Sequence, residues 1–176
     1  EEIDYLYQGG PKTHFPEAWN RFIDLVPVAK RKNTSDLLNF YFEKFHSSDS
    51  AEAARYANEW TLWEASVIAL HYDPRKIEED VFKENNIAIA NLEAHYFINN
   101  CFLPKDYILN NLHKITHIPA TVVQGRYDFC TPPYSAVDLA GAYGKNMSLH
   151  MVNNGHLRSE PESLASLRIY TEAVLE

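Results

Sequence analysis

Asp128 follows the apolar run Ile118 to Gln124, and His156 follows a second such run, Met147 to Val152. Each run reads as a buried strand, so an acid and then a histidine stand in loops after successive strands. A carboxylate at a strand's carboxyl end can orient an imidazole and stabilise its protonated form. A histidine oriented in this way can take a proton from a hydroxyl nucleophile and return it to a leaving group. The order serine, aspartate, histidine along a chain requires a serine framed by glycines upstream. The glycines are Gly9, Gly10, Gly125, Gly141, Gly144 and Gly155, and no two of them frame a serine. The sequence therefore carries the assistants of a nucleophile without the nucleophile. Each residue also has a plainer reading, Asp128 as a turn aspartate ahead of Pro132-Pro133 and His156 as a loop histidine. Their order and their shared position after strands favour the pair.

Glu64 and Glu93 form a second constellation. Each lies in an apolar, aromatic stretch with helical spacing, Trp60-Thr61-Leu62-Trp63-Glu64 and Asn91-Leu92-Glu93-Ala94-His95-Tyr96-Phe97. A carboxylate among large aromatics costs free energy unless it is paired. The partner is either an internal Arg or Lys or a cationic ligand; two glutamates on different helices would hold an ammonium group by charge-assisted hydrogen bonds. His95 has no second metal ligand at helical spacing and reads as a hydrogen-bonded core histidine. His113 and His117, four residues apart at a helix end, read as surface residues rather than a zinc site. No metal or other cofactor is expected.

The elements that must position these residues divide at Pro104. Before it the chain reads as helical, with helices starting at Pro16, near Thr34-Ser35-Asp36, and at Asp49, where Glu52 gives a capping-box signal. After a charged loop, Asp73 to Glu84, a further helix covers Ile87 to about Asn99. From Pro104 onward the pattern is helix 105–113, strand 118–124, helix 133–143, strand 147–152 and a final helix from Pro161. Strand, helix, strand at this spacing is a right-handed parallel unit. Both strands are apolar on both faces, as in the middle of a parallel sheet, and two strands do not make a stable sheet alone. Further strands are expected from elsewhere.

Composition narrows the classes. The chain has 176 residues, 45% hydrophobic and 23% charged, which is ordinary for a globular protein. A net charge of −8, with no basic cluster larger than Lys30-Arg31-Lys32, argues against a nucleic-acid surface. Aromatic residues reach 13%, with 11 Tyr and 9 Phe, enough for an aromatic core and a ligand pocket. Two cysteines, Cys101 and Cys130, fit a reducing, cytoplasmic compartment without a disulfide framework. No apolar run approaches the length of a membrane span. The sequence opens Glu1-Glu2-Ile3 without methionine, so the natural start is expected upstream.

At these residues the chain resembles the C-terminal part of a proline iminopeptidase, a prolyl aminopeptidase of the α/β-hydrolase class. The matching segments are Tyr7-Gln8-Gly9-Gly10 with Phe15 to Trp19, Trp60 to Glu64, Glu93 to Phe97, His117 to Ala120, Gln124 to Asp128, and Gly155-His156 with Glu160-Pro161. They run in the family's order over almost the whole chain. The resemblance implies an α/β-hydrolase fragment: a helical cap over residues 1–103, then the last two parallel strands and flanking helices of the hydrolase sheet over 104–176. By position, Asp128 and His156 match the triad acid and base. Glu64 and Glu93 match the cap glutamates that bind the substrate's free amino terminus, and Phe97 matches an aromatic of the proline-ring pocket. Three positions depart from the pattern: Thr131 where some members have a cysteine, Leu6 where some have a tyrosine, and Leu157 where a serine often follows the histidine.

The implied partners are small peptides with N-terminal proline and an N-terminal half of the hydrolase core that bears the nucleophilic serine. The serine would attack the proline carbonyl, with His156 as base and then acid and Asp128 fixing its tautomer. The 176-residue chain by itself is expected to be inactive. Two other readings stay open: another cap-bearing hydrolase, such as an esterase or epoxide hydrolase, and a non-catalytic binding module.

Overall fold

The computed structural model describes residues 2–175, which fall into two compact units, 2–67 with 71–103 and 68–70 with 104–175. The run 68–70 thus belongs with the second unit, whereas a plain division at 103/104 would leave it in the first.

The first unit is built from helices α1 (Glu2–Gln8), α2 (Pro16–Asp24), α3 (Thr34–Phe45), α4 (Ser50–Ile68), α5 (Pro74–Lys83) and α6 (Ile87–Ile98). Local chemistry sets their starts. Pro16 opens α2, where a missing N–H costs nothing. The Asn33 side chain accepts from the Asp36 N–H at 2.8 Å and caps α3. At α4 half of the anticipated capping box forms: Asp49 accepts from Ala51 N–H at 2.9 Å, but Glu52 turns away to Lys44 and Ser47. Helix α5 replaces the charged loop read between Asp73 and Glu84. Asp73 caps it, Pro74 occupies its first turn, and Val81 is buried while the charged residues around it point outward. Its apolar face is one residue wide per turn, too narrow to stand out within a charged run.

Aromatic rings fill the core of this unit. Tyr7, Phe22, Tyr41, Trp60 and Trp63 are all fully buried. Phe22 and Tyr41 stack with centroids 4.5 Å apart, and the Tyr41 hydroxyl donates to the Phe22 carbonyl at 2.7 Å. Tyr7 lies 4.9 Å from Trp60, centroid to centroid, so α1 is pinned to α4.

The second unit holds the strands β1 (Ala120–Gly125) and β2 (Met147–Val152), with helices α7 (Tyr107–Asn111), α8 (Pro133–Tyr143) and α9 (Pro161–Leu175). The strands pair in parallel, Ala120 against Met147 through Gly125 against Val152. Helix α8 joins them and packs on both, and α9 packs on β1. The Tyr143 hydroxyl, 2.6 Å from the Ile115 carbonyl, ties the end of α8 to the segment entering β1. The expected burial of both strand faces is not realised. Only Gly125 and Val152 are buried within the strands; the other strand residues are half-buried or exposed, because among the described residues the sheet stops at two strands. The helix anticipated over 105–113 shortens to α7 followed by a 3₁₀ turn, Leu112–Lys114. No helix among the described residues is long and apolar enough to cross a membrane.

Candidate active site

In the second unit, backbone pairing continues past the strand ends. Arg126 N–H donates to Val152 O at 2.7 Å and Tyr127 N–H to Asn154 O at 2.9 Å, which carries the Asp128 and His156 loops forward side by side. Glycine is required at the join: a Cβ on Gly125 would stand 2.0 Å from the Gly155 carbonyl oxygen. Gly155 is itself pressed against the 68–70 run, where a Cβ would meet Ile68 O and Leu70 N at 2.8 Å. His156 N–H donates to Ile68 O at 2.8 Å. Glu160, just before α9, accepts from Gly155 N–H at 2.6 Å and from Leu70 N–H at 2.7 Å, so one carboxylate clamps both sides of the histidine loop.

Asp128 is buried and accepts a dense set of hydrogen bonds. Cys130 N–H and Thr131 N–H donate to Oδ1 at 2.9 and 2.8 Å. Oδ2 lies 2.9 Å from the Thr131 hydroxyl, 3.2 Å from Gln124 Nε2 and 3.0 Å from His156 Nδ1. Burial pushes the Asp128 carboxyl up, but His156 and the Thr131 backbone and hydroxyl outweigh it and hold the carboxyl below its ordinary range. A carboxylate at Nδ1 selects the tautomer with the proton there, so Nε2 of the neutral ring carries the acceptor lone pair. The Thr131 hydroxyl also lies 3.2 Å from Nδ1, bridging acid and base. These residues line an open cleft of about 180 Å³ with Arg158, Ser163 and Leu167.

In the first unit, Glu64 on α4 and Glu93 on α6 come together. The Tyr7 hydroxyl donates to Glu64 Oε1 at 2.6 Å, and the Trp60 indole N–H donates to Glu93 Oε2 at 3.0 Å. Burial, then the charge of Glu93, drives the Glu64 carboxyl well above the usual carboxylate range, and the Tyr7 and Trp60 donors only partly oppose this. The Phe97 ring completes the box, 6.3 Å from Trp60 and 6.0 Å from Tyr7 between centroids.

The structure therefore brings Asp128 to His156 and Glu64 to Glu93, and sets Phe97 beside the second pair. His95 is not a core histidine. It is exposed and lies against the rings of Phe42 and Phe102, because the buried side of α6 is taken by Ala90 and Ala94. His113 and His117 are both exposed, and among the described residues no group of three or more His, Cys, Asp or Glu could hold a metal. Residue-by-residue reading passed over Gln124 and Glu160 as working groups and took Tyr7 and Trp60 only as matching residues. The one usable signal was that all four fall in the short segments carrying the family resemblance.

No family model matches the chain. It is similar over nearly its whole length to curated proteins named proline iminopeptidase. With the Arabidopsis thaliana protein it shares 38% identity over 176 residues, 98% of this chain and 45% of that protein. The Xanthomonas citri protein is 32% identical over 167 residues, 94% of this chain and 52% of the relative. That of Neisseria gonorrhoeae is 36% identical over 168 residues, 95% and 52% respectively. The chain thus spans about half the length of the curated relatives it matches. Homology to proteins of this name implies an α/β-hydrolase, and two parallel strands flanked by helices are consistent with part of one.

Proposed function

We propose that the protein containing this chain is a serine aminopeptidase that releases N-terminal proline from peptides. Residues 1–103 act as its cap and 104–176 as the end of its hydrolase core. His156 accepts the proton of a serine outside this sequence as that serine attacks the proline carbonyl, then donates it to the departing amine. Asp128, kept ionised by its donors, holds the Nδ1–H tautomer and stabilises the imidazolium. Glu64 and Glu93 take the secondary ammonium, and Phe97 lies against the ring. In this reading the 176-residue chain alone turns over no substrate.

The observation that carries the proposal is the convergence of two carboxyls from different helices in an aromatic box with no cation paired to them among the described residues. Among the described residues the unit's ion pairs lie elsewhere: Arg21 with Glu59 and Glu78, Arg31 with Asp24, Lys44 with Glu52 and Lys83 with Asp80. An ester- or epoxide-cleaving hydrolase has no use for such a pair; an enzyme that must hold a positive amino terminus does.

The test replaces Glu64 and Glu93 by Gln in the serine-bearing protein and measures kcat/KM on prolyl naphthylamide and on an uncharged ester. A hydrogen bond to a charged group contributes about 1.5–3 kcal/mol, so each change should cost roughly tenfold to a hundredfold on the amine substrate. Ester cleavage should hardly move. Equal losses on both substrates would refute the assignment of the glutamates, and an unaffected amine substrate would refute the aminopeptidase reading.

A further inference from the structure

The Thr131 hydroxyl reaches both the acid and the base of the cleft, 2.9 Å from Asp128 Oδ2 and 3.2 Å from His156 Nδ1. With the direct Asp128–His156 contact of 3.0 Å, the three atoms close a triangle. A hydroxyl carries one proton and two lone pairs, and the imidazole favoured by a carboxylate carries its proton at Nδ1. The hydroxyl proton therefore goes to Oδ2, and an Oγ1 lone pair is left facing the Nδ1 proton. With the ring proton at Nε2 instead, the triangle would hold only the hydroxyl proton.

The backbone fixes where this hydroxyl stands. Thr131 N–H donates to Asp128 Oδ1 at 2.8 Å, and the Thr131 carbonyl accepts from Gln124 Nε2 at 3.2 Å. Pro132 follows and restricts the backbone of the residue before it, while a β-branched side chain is stiff at χ1. Burial does less to place the imidazole: the His156 side chain is 39% exposed, against 5% for that of Asp128. One acceptor sets where Nδ1 points but does not by itself set the tilt of the ring about that hydrogen bond. A second acceptor beside the first sets the tilt, and with it the direction of the Nε2 lone pair.

We propose that Thr131 is a positioning residue for the base, its hydroxyl serving as a second acceptor for the Nδ1 proton and locking the tilt of the His156 ring. The inference rests on the general-base role proposed for His156 and adds the group that aims it. In this role Thr131 meets neither substrate nor nucleophile. It acts through the ring by its lone pair and through Oδ2 by its proton. The aim of the base matters when a proton moves, not when substrate binds. Loss of the hydroxyl should therefore lower kcat and leave KM in place.

The test measures carbon-13 relaxation of the His156 ring C–H bonds in the 176-residue chain, with urea midpoints to show that each variant folds. On the scale where an order parameter of about 0.85 is rigid and one below about 0.6 flexible, the unaltered ring should be rigid. Thr131→Ser, which keeps the hydroxyl, should stay close to it, whereas Thr131→Val and Thr131→Ala should fall into the flexible range. A flexible ring in the unaltered chain overturns the proposal without any variant. So does a ring equally ordered in Thr131→Val or Thr131→Ala, or one loosened as much in Thr131→Ser as in Thr131→Val. In the serine-bearing protein, Thr131→Val should lower kcat on prolyl naphthylamide about threefold to tenfold, the worth of one net hydrogen bond, with KM unchanged and Thr131→Ser restoring the rate. A raised KM with kcat kept would put Thr131 against the substrate and overturn the positioning role. If the unaltered serine-bearing protein cleaves no prolyl substrate, the aminopeptidase reading fails, and the relaxation data still decide whether Thr131 holds the ring.

Discussion

Asp128 is buried and Glu64 half-buried, each with a hydroxyl donor, yet their surroundings drive them in opposite directions. Asp128 accepts two backbone N–H groups and faces a histidine; Glu64 is driven up by burial and then by the charge of Glu93. The signs of their contributions to stability follow. Asp128 has a folded-state pKa below its ordinary 3.8, so its stabilisation is present above that pH and is lost as pH falls through the lower value. Glu64 has a folded-state pKa well above 4.5, so the folded chain binds more protons than the unfolded one. Its contribution is full below 4.5 and is lost as pH rises toward the raised value. Urea unfolding of the 176-residue chain across acid to neutral pH should therefore show two effects. Asp128→Asn should flatten the loss of stability in acid, and Glu64→Gln should flatten the decline on the way to neutrality. If both variants keep the slope of the unaltered chain, neither carboxyl has the assigned environment. The pairing of Glu64 with Glu93 was half legible in the sequence, since an acid among tryptophans and tyrosines demands a partner. The donors were not legible. Tyr7 reaches Glu64 across 57 residues and Trp60 reaches Glu93 across 33, contacts that exist only after three helices have packed.

The elements were legible where local chemistry marks them. Pro133 and Pro161 in first turns, and Thr34-Ser35-Asp36, announced helices that formed at those points, although the cap of α3 is Asn33, just ahead of the three residues read for it. Helix α5 was missed because its burial rests on Val81, amid charges that look the same in a loop. The strands were found by their apolar runs, but the expected burial on both faces describes a sheet wider than the two strands present. The loops after the strands depend on contacts no local pattern reveals, chief among them the seating of Gly155 on the 68–70 run. Replacing Gly155 by Ala forces a Cβ against backbone atoms at 2.8 Å, and backbone cannot yield as a flexible side chain can. Overpacking of this kind costs about 1–3 kcal/mol, and the urea midpoint of Gly155→Ala should fall accordingly. Gly141→Ala, with nothing within 4 Å of its added Cβ, should not lose stability. A Gly155→Ala midpoint equal to that of the unaltered chain would contradict the close approach.

At the scale of the whole chain, the boundary between units is crossed three times, after Val67, after Leu70 and after Leu103. The middle crossing is short, and it is held by polar contacts: His156 N–H to Ile68 O, and Glu160 to the N–H groups of Leu70 and Gly155. This stitch has a consequence for separability. Severing the peptide between residues 103 and 104 leaves the 68–70 run covalently part of the larger piece yet seated in the smaller one. Two polypeptides covering 1–103 and 104–176, produced together with an affinity tag on one, should therefore be recovered as a complex. Glu160→Ala should weaken their recovery. If both pieces fold and pass one another on the column, the stitch is not what fastens them. With the stitch intact, a single proteolytic nick at that junction would be silent by size exclusion and visible only under denaturing conditions.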